Sequence, residues 1–403
     1  MDLGETIEDS YNIYAFQRFV FVKLDVQSSE KPKARSGHRV VCDERNLYSY
    51  GGFNPNIEAN DPDMRNNLSW TDSRPLFKEL WKFNFATRRW KRLPCQEIMP
   101  NELASNAVVL QGVFLLIHGG TGVPFGENRN NNVYICNVNN GEMHVIPANG
   151  DYPMPQYGQA VVCHGPYLYT VGGTTGLEYT CDIHRFDMRS QMWESVYICS
   201  GGDQCEPKGR YRHELAFDGK ILYVLGGGTG FEAFGFMEIP AFDTSQRKWM
   251  TVRAQGDKGK HYPEARRCHG LVQYTDENTG ATLVVISGGY NGTHVFRDIW
   301  RLDLSVLQWR CLLPCMLPQP TYFHSTTLTP AGQMFTFGGI VQHGNEVKRT
   351  DEVHSIWLTI PKLSEICWEA LNFYCPNLKN KTSEDLIAMG IPLNFVRRFE
   401  YES

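Results

Sequence analysis

Three arginines of this chain stand in a repeated frame. Arg35 and Arg210 each open an Arg-x-x-His tetrad closed by His38 and His213, and each lies 16 residues ahead of a glycine pair. Arg266 opens a third tetrad with His269, and Arg212 and Arg267 sit inside the second and third. A planar guanidinium fork suits a carboxylate, which it can grip with two parallel hydrogen bonds. Tyr157, Tyr211, Tyr290 and Tyr322 fall near the same frame or beside a glycine pair. Elsewhere the corresponding place holds Gln156, Thr321 or Tyr322, and Glu102 or Leu103. His213, His269 and Tyr211 can also be drawn together on paper as a copper site. No nucleophile–base pattern, phosphate loop or paired-carboxylate motif accompanies them. The residue types therefore point to capture of an anion rather than to bond-making.

The elements that must position these residues read as strands. Leu168-Tyr169-Thr170-Val171 ends on Gly172-Gly173, and Ile183 to Asp187 and then Trp193 follow. Strands seldom end on two glycines unless another backbone or a ring comes close, and Trp193 is the candidate ring. The same unit recurs with first glycines at 51, 119, 172, 226, 288 and 338. Trp90, Trp193, Trp249 and Trp309 close a fourth strand in four units, whereas the second has Met143 at that place. Six copies at a period of about 50 resemble kelch repeats. The resemblance implies an all-β fold, a six-bladed kelch β-propeller over residues 15–360, with the frame arginines ringing one mouth of its channel. Residues 1–14 are expected to be loose. The sixth unit lacks a fourth strand after Val353 to Leu358, and the apolar stretch within residues 18–24 is expected to supply it and close the ring.

With 403 residues and a net charge of −5, the chain lacks the basic surface expected of a general nucleic-acid binder. It contains no apolar run long enough to span a membrane. The acidic N-terminus does not read as a signal peptide, so a reducing compartment, cytoplasmic and nuclear, is expected. The 12 cysteines then read as apolar fillers rather than disulfides, and their spacings do not match a zinc site. No metal or other cofactor is expected.

From Pro361 the periodicity turns helical, and residues 361–403 read as a small all-helical appendage. Leu363, Cys367 and Leu371 recur every fourth residue and form one apolar stripe. This segment resembles the BC box that docks on elongin C. Ile391-Pro392, with Phe395 and Phe399, resembles the cullin-2 box and follows in the expected order. Propeller and boxes together resemble the kelch-domain substrate receptors of cullin-2 RING ubiquitin ligases. That resemblance implies a non-enzymatic adaptor that binds elongin C, with elongin B, through Leu363, Cys367 and Leu371. Through Ile391, Pro392, Phe395 and Phe399 it would bind cullin-2 with its RING subunit. It also implies recognition of carboxyl-terminal degrons, tails ending in glycine or another small residue. Arg35, Arg210, Arg266, Arg212 and Arg267 would hold the terminal carboxylate between walls of Tyr157, Tyr211, Tyr290 and Tyr322. In that family pocket arginines also follow the glycine pairs, but the loops 174–179 and 228–234 contain none. Each arginine has an alternative role in a salt bridge between blades, and each histidine in a structural hydrogen bond. Two other readings stand beside the receptor: a kelch scaffold or signalling regulator without ligase assembly, and a galactose-oxidase-like enzyme.

Overall fold

The computed structural model describes residues 13–58, 61, 64, 68–95, 97–344 and 346–399. Residues 1–12, most of the segment expected to be loose, lie outside the described residues.

Each repeat forms one antiparallel sheet with a core of four strands. The innermost strands are Arg39–Cys42, Ala107–Gln111, Ala160–His164, Glu214–Phe217, Gly270–Thr275 and Ser325–Leu328. Each lies beside the next and the last lies beside the first, so the sheets close into a wheel. Second strands such as Asn46–Tyr50 are buried along their whole length, because both faces meet neighbouring blades. Their sequences are accordingly apolar runs rather than alternations. Outermost strands do alternate, and their inward tryptophans Trp90, Trp193, Trp249 and Trp309 are buried. In blade two Met143 fills the same layer.

The glycine pairs owe their identity to the tetrads that press on them, through an imidazole in several blades and Gln159, Asn106 or the Leu103 carbonyl in others, not to Trp193. A Cβ on Gly172 would lie 2.9 Å from a ring carbon of His213 in the next blade, and one on Gly338 only 2.5 Å from His38. The second glycine faces its own tetrad: a Cβ on Gly227 would meet His213, and one on Gly289 would meet His269. Each pair is thus clasped between two tetrads, and both glycines adopt positive φ, which a side chain would strain. The tetrad histidines join adjacent blades. His38 Nε2 bonds Phe337 O at 3.0 Å, His213 Nε2 bonds Val171 O at 3.1 Å, and His324 Nε2 bonds Ser287 Oγ at 3.0 Å. Blade three uses Gln159, whose Nε2 donates to His118 O at 3.1 Å.

Val22–Lys23 pairs antiparallel with Val353–Trp357, placing Val22 opposite Ser355. Phe19 N also donates to Trp357 O at 3.1 Å, and Leu24 N to Val353 O at 2.9 Å. The last blade therefore takes its outer strand from the other end of the chain. Removing residues 1–26 exposes that strand's edge and the apolar contacts of Phe19, Phe21 and Leu24. The melting temperature is expected to fall by on the order of 10 °C. A melt unchanged by the truncation would show that the ring closes without this strand.

Additions outside the repeat include the short helix Leu68–Ser73 between the second and third strands of blade one. Asn149–Gly150 runs parallel to Met192–Tyr197 on blade three, and Ile340–His343 with Glu346–Arg349 forms a hairpin above blade six. The appendage comprises helices Leu363–Tyr374, Ser383–Ala388 and Leu393–Val396, with a 3₁₀ turn at Pro376–Asn380. Thr382 and Asp385 form a capping box on the second helix. Trp368, Leu378, Leu386, Ile391, Phe395, Val396 and Phe399 make a core of their own that rests on Ala86. Asn84 Nδ2 donates to Arg398 O at 2.9 Å, and Trp357 Nε1 to Glu369 Oε1 at 2.8 Å. These contacts fall where third strands end, whereas the glycine pairs fall where they begin. The appendage and the tetrads therefore occupy opposite faces of the wheel.

Candidate functional site

The tetrads build one mouth of the central channel tier by tier. At their first position Arg35, Arg210 and Arg266 point into the blades. Arg35 is fully buried: Nη1 donates to Gly51 O at 2.9 Å, Nη2 to Glu79 Oε2 at 2.9 Å, and the guanidinium lies 4.0 Å over Phe77. Arg266 repeats this, with Gly288 O at 3.1 Å, both oxygens of Asp298 at 2.5 and 3.0 Å, and Phe296 at 3.9 Å. Arg210 Nη1 donates to Gly226 O at 3.1 Å and its fork lies 4.2 Å over Phe234. The expectation that these three ring an opening is corrected. Their forks are consumed by their own blades, and ligand access would break the bonds to Gly51 O, Gly226 O and Gly288 O and the pairs with Glu79 and Asp298. A sequence signal marks this role: Phe77-x-Glu79-x-Trp81 and Phe296-x-Asp298-x-Trp300 supply ring, acid and indole donor at the start of the third strand.

The second position gives the wall: Ser36, Ala104, Tyr157, Tyr211, Arg267 and Tyr322. Each is bridged to the chain just beyond its own glycine pair. Tyr290 stacks on Tyr322 at 5.0 Å, and Tyr157 meets Tyr211 edge-on at 6.4 Å. All four of the expected tyrosines are half-buried here, and burial raises the phenols of Tyr157, Tyr211 and Tyr322.

The third position closes the floor. Gly37, Ser105, Gly158, Arg212, Cys268 and Phe323 all have φ between 55° and 68°. Each N–H donates to the carbonyl of its counterpart in the preceding blade, from 105 to 37, 158 to 105 and onward to 37 to 323, at 2.7–3.4 Å. A second ring runs from the second glycine of each pair to the next blade's first tetrad position, at 2.8–3.0 Å. Four non-glycine residues in the left-handed region cost of order 1–3 kcal/mol each and are held there by the surrounding bonds. From this collar Arg212 reaches over the Phe323 ring at 4.5 Å and donates through Nη2 to Ser105 Oγ. Burial depresses its guanidinium from the ordinary value. Below the collar a channel of about 260 Å³ is crossed by the Arg39–Glu214 ion pair at 2.6 Å.

Two arginines outside the tetrads complete the mouth. Arg349, on the blade-six hairpin, donates to Ser36 Oγ at 2.9 Å and lies 5.1 Å from the Phe53 ring. Arg129 donates to Thr175 O, and Arg267 to Thr229 O. Among the described residues, Arg129, Arg212, Arg267 and Arg349 form no ion pair with a carboxylate. The mouth therefore holds four cations without internal counter-charge. Both Arg129 and Arg349 sit in the loop after a glycine pair, at the place bridged to the chain just beyond that pair, where other blades have Leu76, Ala233 and Val295, so residue type does not repeat there.

On the opposite face, Leu363 is 73% exposed and Cys367 is exposed, while Leu371 is half-buried against the appendage core. The helix is fixed by Trp368 on its other side and by Arg398, which grips Glu365 through two bonds at 2.6 and 2.7 Å. Of the second box only Pro392 is exposed, together with its neighbour Leu393. Ile391, Phe395 and Phe399 are at most 9% exposed and build the appendage core, so their assignment to a partner contact is corrected.

The chain matches the KLHDC2/KLHL20/DRC7 Kelch-repeats domain model over residues 5–227 and 64–279. Kelch domain-containing protein 10 of Xenopus laevis is 40% identical over 377 residues, covering 93% of this chain and 87% of the relative. The chain belongs to the kelch domain-containing protein 10 family of kelch-repeat proteins. The human relative of that name is also 40% identical, over 92% of this chain and 80% of its own length. Host cell factor 1 of Rattus norvegicus is 24% identical over 85% of this chain and 14% of the relative. Kelch-repeat proteins are typically non-catalytic binding proteins, and the mouth agrees in kind: cations and phenols line it, and His213 and His269 lie beneath it in the interblade layer. Among the described residues no group of three or more His, Cys, Asp or Glu side chains is placed to hold a metal.

Proposed function

We propose that the chain is the substrate-recognition subunit of a cullin-2–elongin B/C RING ubiquitin ligase. Its mouth receives carboxyl-terminal tails of client proteins, and its helical appendage links it to the ligase in the cytoplasm and nucleus. The observation that carries this reading is the outward stripe of Leu363 and Cys367 on a helix clamped from its other side, facing away from the mouth. A helix that needed those side chains for its own packing would bury them. Presented at helical spacing, they suit a partner's apolar groove. At the mouth, Arg212, Arg267 and Arg349 replace the first-position arginines as ligands for a terminal carboxylate, with Tyr157, Tyr211, Tyr290 and Tyr322 as the wall. Pro392 and Leu393 are left as the cullin-facing pair of the second box.

One observation favours the scaffold reading instead: Ile391, Phe395 and Phe399 are fully employed inside the appendage. Capture of purified elongin B/C separates the two. Wild type is expected to retain the complex, and Leu363→Ser with Cys367→Ser to reduce recovery at least about tenfold, in keeping with two apolar anchors lost from a groove. Equal recovery by both proteins, or none by either, discards the receptor reading.

A further inference from the structure

The cationic mouth has an apolar surround. In the loops that follow the glycine pairs of blades two, three and four, Phe125, Leu177 and Phe231 are 48%, 92% and 100% exposed. Their backbones are pinned. Gly176 N donates to Thr174 Oγ1 at 2.9 Å, Gly230 N to Tyr179 Oη at 2.9 Å and Phe231 N to Thr229 Oγ1 at 3.2 Å. The loops are also joined to one another. A Cβ on Gly126 would lie 3.0 Å from Gly176 Cα, the Tyr179–Gly230 bond ties blade three to blade four, and Phe125 packs edge-on against Phe53 of blade one at 4.9 Å. An apolar crescent thus borders the arginines over four blades. One or two residues after each apolar residue stands an exposed acid, Glu127, Glu178 or Glu232, the last 3.5 Å from Lys208 Nζ.

We propose, resting on the reading of the mouth given above, that this crescent docks the client segment just upstream of its carboxyl end. It selects bulky apolar side chains there, followed outwards by basic ones. Three features of the surface specify this occupant. The unpaired guanidiniums orient an extended chain with its anionic end inward. Leu177 and Phe231, carried on pinned backbone, gain burial on contact without the loops first having to be ordered. The exposed acids that follow the apolar residues in these loops repel an acidic segment and attract a basic one.

The test compares fluorescent peptides that share a glycine-carboxylate end. Upstream, one carries leucine and phenylalanine followed by lysines, one carries serines, and one carries aspartates; an amidated copy of the first serves as control. Wild type is expected to bind the first at least about tenfold more tightly than the second, and the third weakest. In Leu177→Ser with Phe231→Ser this spread is expected to shrink to about threefold while the serine peptide binds as before. Both positions are solvent-facing, so an unchanged melting temperature verifies the fold. Equal binding of the three peptides by wild type, or an undiminished spread in the variant, overturns the crescent alone. Undiminished binding of the amidated copy, or no binding of any peptide, overturns the carboxylate reading and the crescent with it. Self-association of wild type that the double variant loses would show the crescent to be an interface between copies, and would also overturn it.

Discussion

Replacing Arg35 by alanine is expected to destabilise the wheel by about 3–5 kcal/mol, whereas Arg349→Ala costs less than about 1 kcal/mol. Both residues are arginines beside the same mouth, but their surroundings differ. Arg35 is fully buried, pairs with Glu79 and caps the carbonyl of Gly51. Its loss leaves a carboxylate that is 4% exposed, supported by the indole N–H of Trp81 at 2.7 Å and by Arg92 at 3.9 Å. Losing the buried fork also strips the Gly51 carbonyl of its donor and empties the space beneath the Phe77 ring, and such losses, more than the worth of the ion pair itself, make the change costly. Combining Arg35→Met with Glu79→Gln should therefore recover most of the loss. Arg349 meets a hydroxyl and a ring face, so its removal leaves no buried charge behind. Denaturant titration of the single and double variants measures all these differences. Similar small losses for both arginines would return Arg35 to the list of ligand candidates.

Acid is expected to unfold the protein well above the range in which exposed carboxylates titrate. Burial holds His213 down to about 3 and His118, His184 and His324 to about 4, while His38 and His269 fall well below the ordinary 6.5. In the unfolded chain each takes up a proton as pH falls below about 6.5, and in the folded chain it stays neutral until near the depressed value. Between those limits the unfolded state binds more protons, so stability is complete above about pH 6.5 and declines as the pH drops. Each such group contributes about 1.4 kcal/mol per unit of depression. Several acting together rival the 5–15 kcal/mol that holds a typical domain. Thermal melts should be level between pH 8 and 7, then fall steeply, with unfolding at room temperature by about pH 5. His213→Gln should soften the decline, because blade three already makes the equivalent bond with Gln159. A melting temperature constant down to pH 5 would mean that these imidazoles become charged in place at no cost.

Six glycine pairs and an unpartnered N-terminal apolar stretch made the wheel readable, because a blade repeats its backbone demands wherever it recurs. The reason for the glycines was not readable. It lies in the tetrad of the next blade, about 40 residues downstream for Gly172 and His213, and only the closed ring brings the two together. The repeated Arg-x-x-His frame misled about ligand binding because repetition marks what every blade needs structurally. Arg129 and Arg349 share one position in the loops after the glycine pairs, but other blades fill it with Leu76, Ala233 and Val295, so they carry no periodic signal. In the appendage Leu363 and Cys367 are exposed, whereas Leu371, the third residue of the helical stripe, packs against the appendage core. The second box faces inward because an isolated 40-residue tail must bury several large apolar side chains to hold any shape, and Ile391, Phe395 and Phe399 are among those it has.

The six-membered collar of N–H to carbonyl links has a mechanical consequence. Every member is at once a giver and a receiver, so no sector of the rim can swing out without severing bonds on both of its sides. Its diameter is therefore set once, when the chain folds, and the floor of the mouth cannot widen or narrow without partial unfolding.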